Sequence, residues 1–288
     1  MKIVVLGGSG FIGSHVADEL SKRGHKVNIF DTKKSKYKKK NQKMYIGSIL
    51  NKKKLSLAIK GCDFVYHFAA LSNMDVARIN PFMSAEINIL GTINALLVSK
   101  LHMVKRFIHA SSIYANTEEG GFYGSSKNAA ESYVQRFHEI FGLNYTILRF
   151  GSLYGGRSYE SSGLNTIINS GLKKKKLIYG GSAKAARRYI HVEDAVSACI
   201  RTIQKKYENK YLIITGKYLV KIKTLLKILS KYLNISSNKI EFLNNINTGH
   251  YDIQPTPFIP RLGMHMKIKK EKNFKKSLRN LIDELRKK

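Results

Sequence analysis

The run Gly7-Gly8-Ser9-Gly10-Phe11-Ile12-Gly13 limits the chain more than any other stretch. It follows the apolar run Lys2–Leu6 directly and opens a helical pattern over Gly13–Arg23. At this spacing Gly7 allows a tight turn, Gly10 lets the backbone approach a pyrophosphate, and Gly13 lets helix and strand pack closely. The N-terminus of the following helix adds N–H donors and a positive dipole for the phosphates. Between a first strand and a first helix, the run reads as a dinucleotide-binding turn, with Phe11 and Ile12 beside the cofactor. Asp31 ends the next apolar run, 18 residues beyond Gly13. A carboxylate there accepts hydrogen bonds from ribose hydroxyls and repels a 2′-phosphate, which favours NAD over NADP. NADP stays open because Thr32 to Cys62 contains eleven lysines and no acid, so that Lys33 or Lys34 is available to a 2′-phosphate.

The rest of the first two thirds repeats the same alternation. Strands are expected at Lys2–Leu6, Lys26–Phe30, Lys43–Ile46, Asp63–Phe68, Arg106–Ala110 and Tyr145–Phe150. These runs are largely apolar on both faces, as parallel strands covered by helices must be. Helical patterns separate them at Gly13–Arg23, Lys53–Ile59, Phe82–Leu101 and Ser125–Phe141. The expected fold is α/β, a Rossmann-type doubly wound parallel sheet over residues 1–155. Beyond Gly155 the pattern shifts to helices at Leu164–Leu172, Val192–Lys205, Lys223–Leu233 and Phe274–Arg286, with a strand at Tyr211–Thr215. Residues 156–191 and 216–288 are expected to form a smaller substrate lobe, with 192–215 returning to the first domain. Pro255, Pro257 and Pro260 mark a loop.

Composition fixes the class. Of 288 residues 43% are hydrophobic, enough for a sizeable core. The two cysteines, Cys62 and Cys199, sit in apolar surroundings, which argues against a disulfide framework. The N-terminal apolar run is too short for a signal peptide, and no stretch reaches the roughly 18 apolar residues of a membrane span. A soluble cytoplasmic chain is expected. The formal charge is +32. Its basic runs are scattered and not interleaved with aromatics, so they read as a solvated surface and not as a nucleic-acid platform. That field still draws in anionic ligands. The nine histidines show no ligand spacing, and no metal site is expected.

Tyr123-Gly-Ser-Ser-Lys127 places a phenol and an ammonium one helical turn apart. The ammonium stabilises the phenolate, making a base for a hydroxyl proton near neutral pH. Upstream, Arg106-Phe-Ile-His-Ala-Ser-Ser112 is a strand ending in two serines, at the sheet edge where such folds bind ligands.

With these motifs the chain resembles the extended short-chain dehydrogenase/reductase family, in its NAD-dependent epimerase/dehydratase branch. Seven runs match in order over about 200 residues: Gly7–Gly13, Asp63–Ala70, Asn88–Thr92, Ala110–Ile113, Tyr123–Lys127, Arg149–Gly155 and Arg187–Asp194. The resemblance implies hydride transfer on a nucleotide-diphosphate sugar. Tyr123 would be the acid/base. Lys127 would lower its pKa and hold the nicotinamide ribose. Ser112, with Ser111 as the alternative, would orient the sugar oxygen. Phe68, Ala69 and Ala70 would line the cofactor, and Arg187 would bind the substrate diphosphate, as a guanidinium fork suits. Ser152 stands where relatives often carry an asparagine on the substrate. Tyr114 lies two residues past Ser112, where relatives sometimes place a second acid/base, and otherwise reads as a pocket wall.

Ile113-Tyr114 replaces the Asp-Glu pair of sugar 4,6-dehydratases, which disfavours elimination of water. Gly47-Ser48-Ile49 replaces the family's Gly-Asp-Ile. The expected activity is a nucleotide-sugar epimerase, acting at C4. The alternatives are a reductase or dehydrogenase with exchanging NAD(P), a dehydratase, or a non-catalytic dinucleotide sensor or RNA-associated protein. Family members commonly dimerise through the helices at Phe82–Leu101 and Ser125–Phe141, so a homodimer is expected.

Overall fold

The computed structural model describes residues 1–117, 119–160, 162–243, 264–266 and 272–287. The loop expected around Pro255, Pro257 and Pro260 lies outside the described residues. In chain order the first half contains β1 (Lys2–Leu6), α1 (Phe11–Lys22), β2 (Lys26–Asp31), β3 (Gln42–Ile46), α2 (Lys52–Ile59), β4 (Phe64–His67), α3 (Met74–Ile79) and α4 (Pro81–Ala85). A π-helical turn, Glu86–Leu90, joins α4 to α5 (Gly91–Leu101). Then come β5 (Arg106–Ser112), a 3-10 turn at Ile113–Asn116, α6 (Gly121–Phe141) and β6 (Tyr145–Phe150). The second half contains β7 (Ser152–Tyr154), α7 (Gly163–Lys174), β8 (Leu177–Tyr179), β9 (Ala186–Arg187), β10 (Tyr189–His191), α8 (Val192–Arg201), β11 (Lys210–Ile214), β12 (Val220–Lys221), α9 (Ile222–Leu233), β13 (Ile240–Phe242), β14 (Met264–His265) and α10 (Phe274–Arg286).

The chain divides into two compact units. One comprises Met1–Phe150, Val196–Ile214 and Pro257–Lys267, the other Gly151–Ala195, Thr215–Thr256 and Ile268–Lys288. The first is built on one sheet in the order β14-β11-β6-β5-β4-β1-β2-β3. Every ladder in it is parallel. The chain winds outward from β1 on one side and from β4 on the other, so the order reverses between these neighbours. Ligands bind at the carboxyl ends of strands at such a switch point. Ile3, Val4, Val5 and Leu6 of β1 are fully buried, as a central strand covered on both faces requires.

The expected strands and helices are present, with shifted ends. β5 runs two residues past Ala110, because Ser111 and Ser112 still pair with Arg149 and Phe150 of β6. The helix expected from Ser125 begins at Gly121. The segment Pro81–Leu101 spans 21 residues and has the length and composition of a membrane-crossing helix, although Glu86, Asn88, Asn94 and Lys100 interrupt its apolar residues. Its packing accounts for that character, because α5 lies on α2 and α6 and buries Ala95, Leu96 and Val98.

The second unit is assembled differently. Its strands form three ladders of two or three pairs: β7 with β10, β9 with β12, and β8 with β13. Its core is a helical one, in which α9 buries Ile222, Leu225, Leu226, Leu229 and Leu233 at helical spacing. Leu278, Leu281 and Ile282 of α10 and Leu164, Ile167 and Ile168 of α7 complete the cluster.

Candidate active site

The glycine turn sits at the carboxyl end of β1. Gly7 has φ +81°, and a Cβ on it would lie 2.5 Å from the Ala69 backbone nitrogen. A Cβ on Gly13 would lie 2.2 Å from the Gly7 carbonyl oxygen. Both positions therefore accept glycine alone, the first for backbone conformation and the second for close approach of α1 to the turn. Gly10 is the N-cap residue of α1, and Phe11 and Ile12 form its first turn. Phe68 and Ala69 donate their backbone N–H groups to the Leu6 carbonyl, at 2.8 and 2.9 Å, so the segment after β4 flanks the turn. Ala70 follows and, like Phe68 and Ala69, is half-buried.

Asp31 closes β2 on the other side of β1. Its carboxylate accepts from the Ser9 backbone N–H at 3.0 Å and from the Lys33 backbone N–H at 3.1 Å. The acid is thus bound to the glycine turn itself. A cradle that a Cβ would fill, beside a fixed carboxylate at the end of the second strand, fits the adenosine diphosphate half of a dinucleotide.

Tyr123 and Lys127 lie in the first two turns of α6, with the Lys127 ammonium 5.9 Å from the Tyr123 ring centre. Lys127 is buried and donates to the Ala110 carbonyl at 3.0 Å. Burial pushes Lys127 down to about 8, against the opposing pull of the Glu131 carboxylate. Burial also pushes the Tyr123 phenol up to about 12, offset in part by a hydrogen bond with Ser112. Ser112 ends β5, and its hydroxyl also accepts from the Tyr114 backbone N–H at 3.2 Å. Tyr114, in the 3-10 turn, meets the Tyr123 ring edge-on at 6.4 Å between centres. The fold thus brings Ser112, Tyr114, Tyr123 and Lys127 together at the carboxyl end of β5.

Ser111 points elsewhere. Its hydroxyl donates to Glu131 at 2.5 Å in a buried cluster. Glu131 in turn accepts a fork from Arg149, at 3.0 Å from Nε and 2.7 Å from Nη2. Sequence reasoning gave this cluster no role. The available signals were a carboxylate one turn beyond Lys127 and an arginine inside the apolar run Tyr145–Phe150, where a charge needs a partner.

Asn88 was also passed over. It sits on the π-helical turn, accepts from Leu71 N–H at 2.7 Å, and donates to the Leu71 carbonyl at 3.1 Å and to Ser126 at 2.9 Å. Ser126 donates to the Tyr123 carbonyl at 2.8 Å. Asn88 therefore braces the segment after Ala70 to the turn that carries Tyr123. π-Helical turns recur at functional sites for such reasons.

His67 and His109 face each other across β4 and β5 with ring centres 5.5 Å apart. Burial holds both in the neutral form, pushing His67 to about 3 and His109 well below its usual value. They are core groups.

The two remaining expected residues lie in the second unit. Ser152 opens β7 opposite Tyr189 of β10. Arg187 ends β9 opposite Val220 of β12 and is half-buried.

The chain is similar to known proteins over most of its length. Residues 3–214 match the NAD dependent epimerase/dehydratase family. A putative UDP-glucose 4-epimerase of Methanocaldococcus jannaschii is 30% identical over 227 residues, 72% of this chain and 74% of that protein. A dTDP-D-glucose 4,6-dehydratase of Dictyostelium discoideum is 31% identical over 234 residues, 68% of this chain and 54% of that protein. Among solved structures, a UDP-glucose 4-epimerase of Thermotoga maritima with UDP-glucose superposes with a TM-score of 0.85. At 24% identity it covers 100% of this chain and 99% of its own, a likeness of fold.

Proposed function

The chain belongs to the NAD dependent epimerase/dehydratase family, and from that premise we propose that it is a nucleotide-sugar epimerase acting at C4. The observation that carries the reading is the set Ser112, Tyr123 and Lys127, gathered at the carboxyl edge of the sheet that also bears the dinucleotide turn. Tyr123 takes the proton of the sugar hydroxyl and later returns it. Lys127 supplies the positive charge that favours the phenolate. Ser112 donates to the oxygen that becomes a carbonyl and holds it against Tyr123. Gly7, Gly10, Phe11, Ile12, Gly13 and Asp31 hold the adenosine diphosphate end of NAD, and Phe68, Ala69 and Ala70 line it. NAD, when bound, would supply the hydride acceptor. The second unit selects the substrate, with Arg187 on its diphosphate and Ser152 beside it.

Relatives include both epimerases and 4,6-dehydratases. Ile113-Tyr114 has no carboxylic acid to assist loss of water, which favours epimerisation. Ser111 is committed to Glu131, which favours Ser112 as the substrate-facing hydroxyl. The exposed apolar side chains Phe82, Leu90 and Leu101 on the Pro81–Leu101 helix, with Phe122, Ile140 and Phe141 on α6, support a homodimer through these helices. Two free buried thiols fit a cytoplasmic location.

The test is to incubate purified protein with UDP-glucose and no added cofactor, then separate the products. Appearance of the C4 epimer, with NAD released in stoichiometric amount on denaturation, supports the proposal. A product lighter by one water, or oxidised product formed only with added NAD(P), overturns it in favour of a dehydratase or a dehydrogenase.

A further inference from the structure

We infer that Glu131 is a positioning residue for the acid/base pair: clamped by Arg149, it fixes the end of β5 against the helix that carries Tyr123 and Lys127. This rests on the reading above, in which those two residues move the proton. The observation behind it is a double grip. Lys127 and Glu131 lie one turn apart on α6, and they hold consecutive residues of β5. Lys127 takes the Ala110 carbonyl at 3.0 Å, and Glu131 takes the Ser111 hydroxyl at 2.5 Å. The next residue is Ser112. The register between Ser112 and the acid/base helix is therefore pinned by two buried polar contacts, whose directionality adds to the apolar packing of α6.

Glu131 is held in turn. It is 3% exposed and Arg149 is 1% exposed, and the guanidinium meets the carboxylate with two nitrogens. The Tyr211 ring of β11 covers that guanidinium at 4.8 Å. Asn116, the last residue of the turn that follows Ser112, accepts from the same guanidinium through its side-chain oxygen. One ion pair thus joins α6, β5, β6 and the turn bearing Tyr114. A buried pair of this kind adds little stability over apolar residues of the same volume. Stability alone is therefore a weak reason for it, whereas placement of polar groups at a reacting end is a strong one.

The same carboxylate has an electrostatic role. The groups facing the Lys127 ammonium are Tyr123 and Glu131 on its own helix, His67 on β4 and His109 on β5, with Arg149 of β6 behind Glu131. The two histidines are neutral, so Glu131 is the negative charge that keeps Lys127 protonated against burial. With that charge removed, Lys127 loses its proton at lower pH and stops supporting the phenolate.

The experiment compares the pH dependence of UDP-glucose epimerisation in the full-length protein, Glu131→Gln, Glu131→Asp, Arg149→Met and the double variant Glu131→Gln/Arg149→Met. The double variant is included because Glu131→Gln leaves the buried Arg149 guanidinium without its carboxylate and threatens folding. In whichever of the two charge-removed proteins folds, turnover at pH 7.5 is expected to fall by roughly tenfold to a hundredfold. The alkaline limb is expected to move down by about one pH unit in Glu131→Gln relative to the parent, and downward in the double variant relative to Arg149→Met, with NAD affinity within about twofold of the parent. Glu131→Asp is expected to restore the limb. A charge-removed variant that melts at lower temperature but keeps the parental pH profile overturns the inference and leaves Glu131 a structural residue. If the parent itself epimerises no nucleotide sugar, the functional reading fails separately. Lys127 is then followed directly by NMR of ¹³Cε-labelled lysine, as the signal titrating near its value of about 8 and lost in Lys127→Arg. A midpoint lowered in Glu131→Gln, or in the double variant relative to Arg149→Met alone, sustains the role of Glu131, and an unmoved midpoint in that comparison overturns it.

Discussion

The two units of this chain solve the burial problem in opposite ways. The first spends its apolar residues on central strands that are covered on both faces, as in Phe64–His67 and Arg106–Ser112. The second spends them on helix stripes, and its ladders hold only two or three pairs. A strand buried on both faces must be apolar throughout, so it declares itself in sequence. A two-residue ladder has no such requirement. The difference teaches where chemistry and selectivity are held. The proposed reacting groups sit at the ends of a rigid parallel sheet, while Ser152 and Arg187, proposed to meet the substrate, sit on short ladders whose side chains can vary at small cost to the fold.

The comparison breaks most visibly at Tyr123. Tyr123→Phe removes the proton carrier from the first unit and leaves the glycine turn intact. Turnover is expected to fall by about a thousandfold, with NAD binding measured by calorimetry unchanged within about twofold. A substantial loss of NAD affinity would show that Tyr123 holds the cofactor more than it moves the proton.

A change in the second unit should behave differently. Arg187→Ala is expected to raise KM for the nucleotide sugar by roughly thirtyfold, the loss of one charge-assisted bond of about 2 kcal/mol. kcat should stay within about threefold. Equal losses in kcat and kcat/KM would place Arg187 in the reacting constellation instead of in substrate selection.

The smallest effect concerns the core of the first unit. His67 and His109 are neutral when folded, with pKa values below the unfolded one of about 6.5. The unfolded chain therefore binds more protons than the folded one below that pH, and stability falls as pH falls. Between pH 6.5 and 5 His67 is expected to cost roughly 1.5–2 kcal/mol and His109 adds a loss in the same direction, read from urea unfolding. His109 has both ring nitrogens buried without a hydrogen-bond partner, so His109→Leu should remove its share and flatten the acid limb. An unchanged slope would mean that other groups carry the acid loss.

The sequence carried the first unit's order almost completely, and local physics explains why. Lys2–Leu6 and Tyr145–Phe150 are bounded as expected, because each is a continuous apolar run flanked by polar or glycine residues. The glycine turn and Asp31 were legible because their spacing along the chain is itself the motif. The start of α6 was placed too late, since Gly120-Gly121 reads as a turn and gives no sign that the helix begins there. The Glu131–Arg149 cluster was not legible, because its members come together only when β5, β6 and α6 pack. Glu131 lies 20 residues from Ser111 and 18 from Arg149. In the second unit α9 and α10 were visible by helical periodicity, whereas β7 to β10 gave no pattern of two-residue alternation long enough to read.

The central claim is that a hydride leaves C4 of the sugar and returns to the same carbon while Tyr123 handles only the hydroxyl proton. It is tested most directly with UDP-glucose carrying deuterium at C4, incubated with the enzyme in ordinary water and followed by mass spectrometry. The account predicts that the epimer retains its deuterium, because the transferred hydride does not exchange with solvent. Loss of the label to water at the rate of epimerisation would contradict it, and would assign inversion to proton removal from carbon.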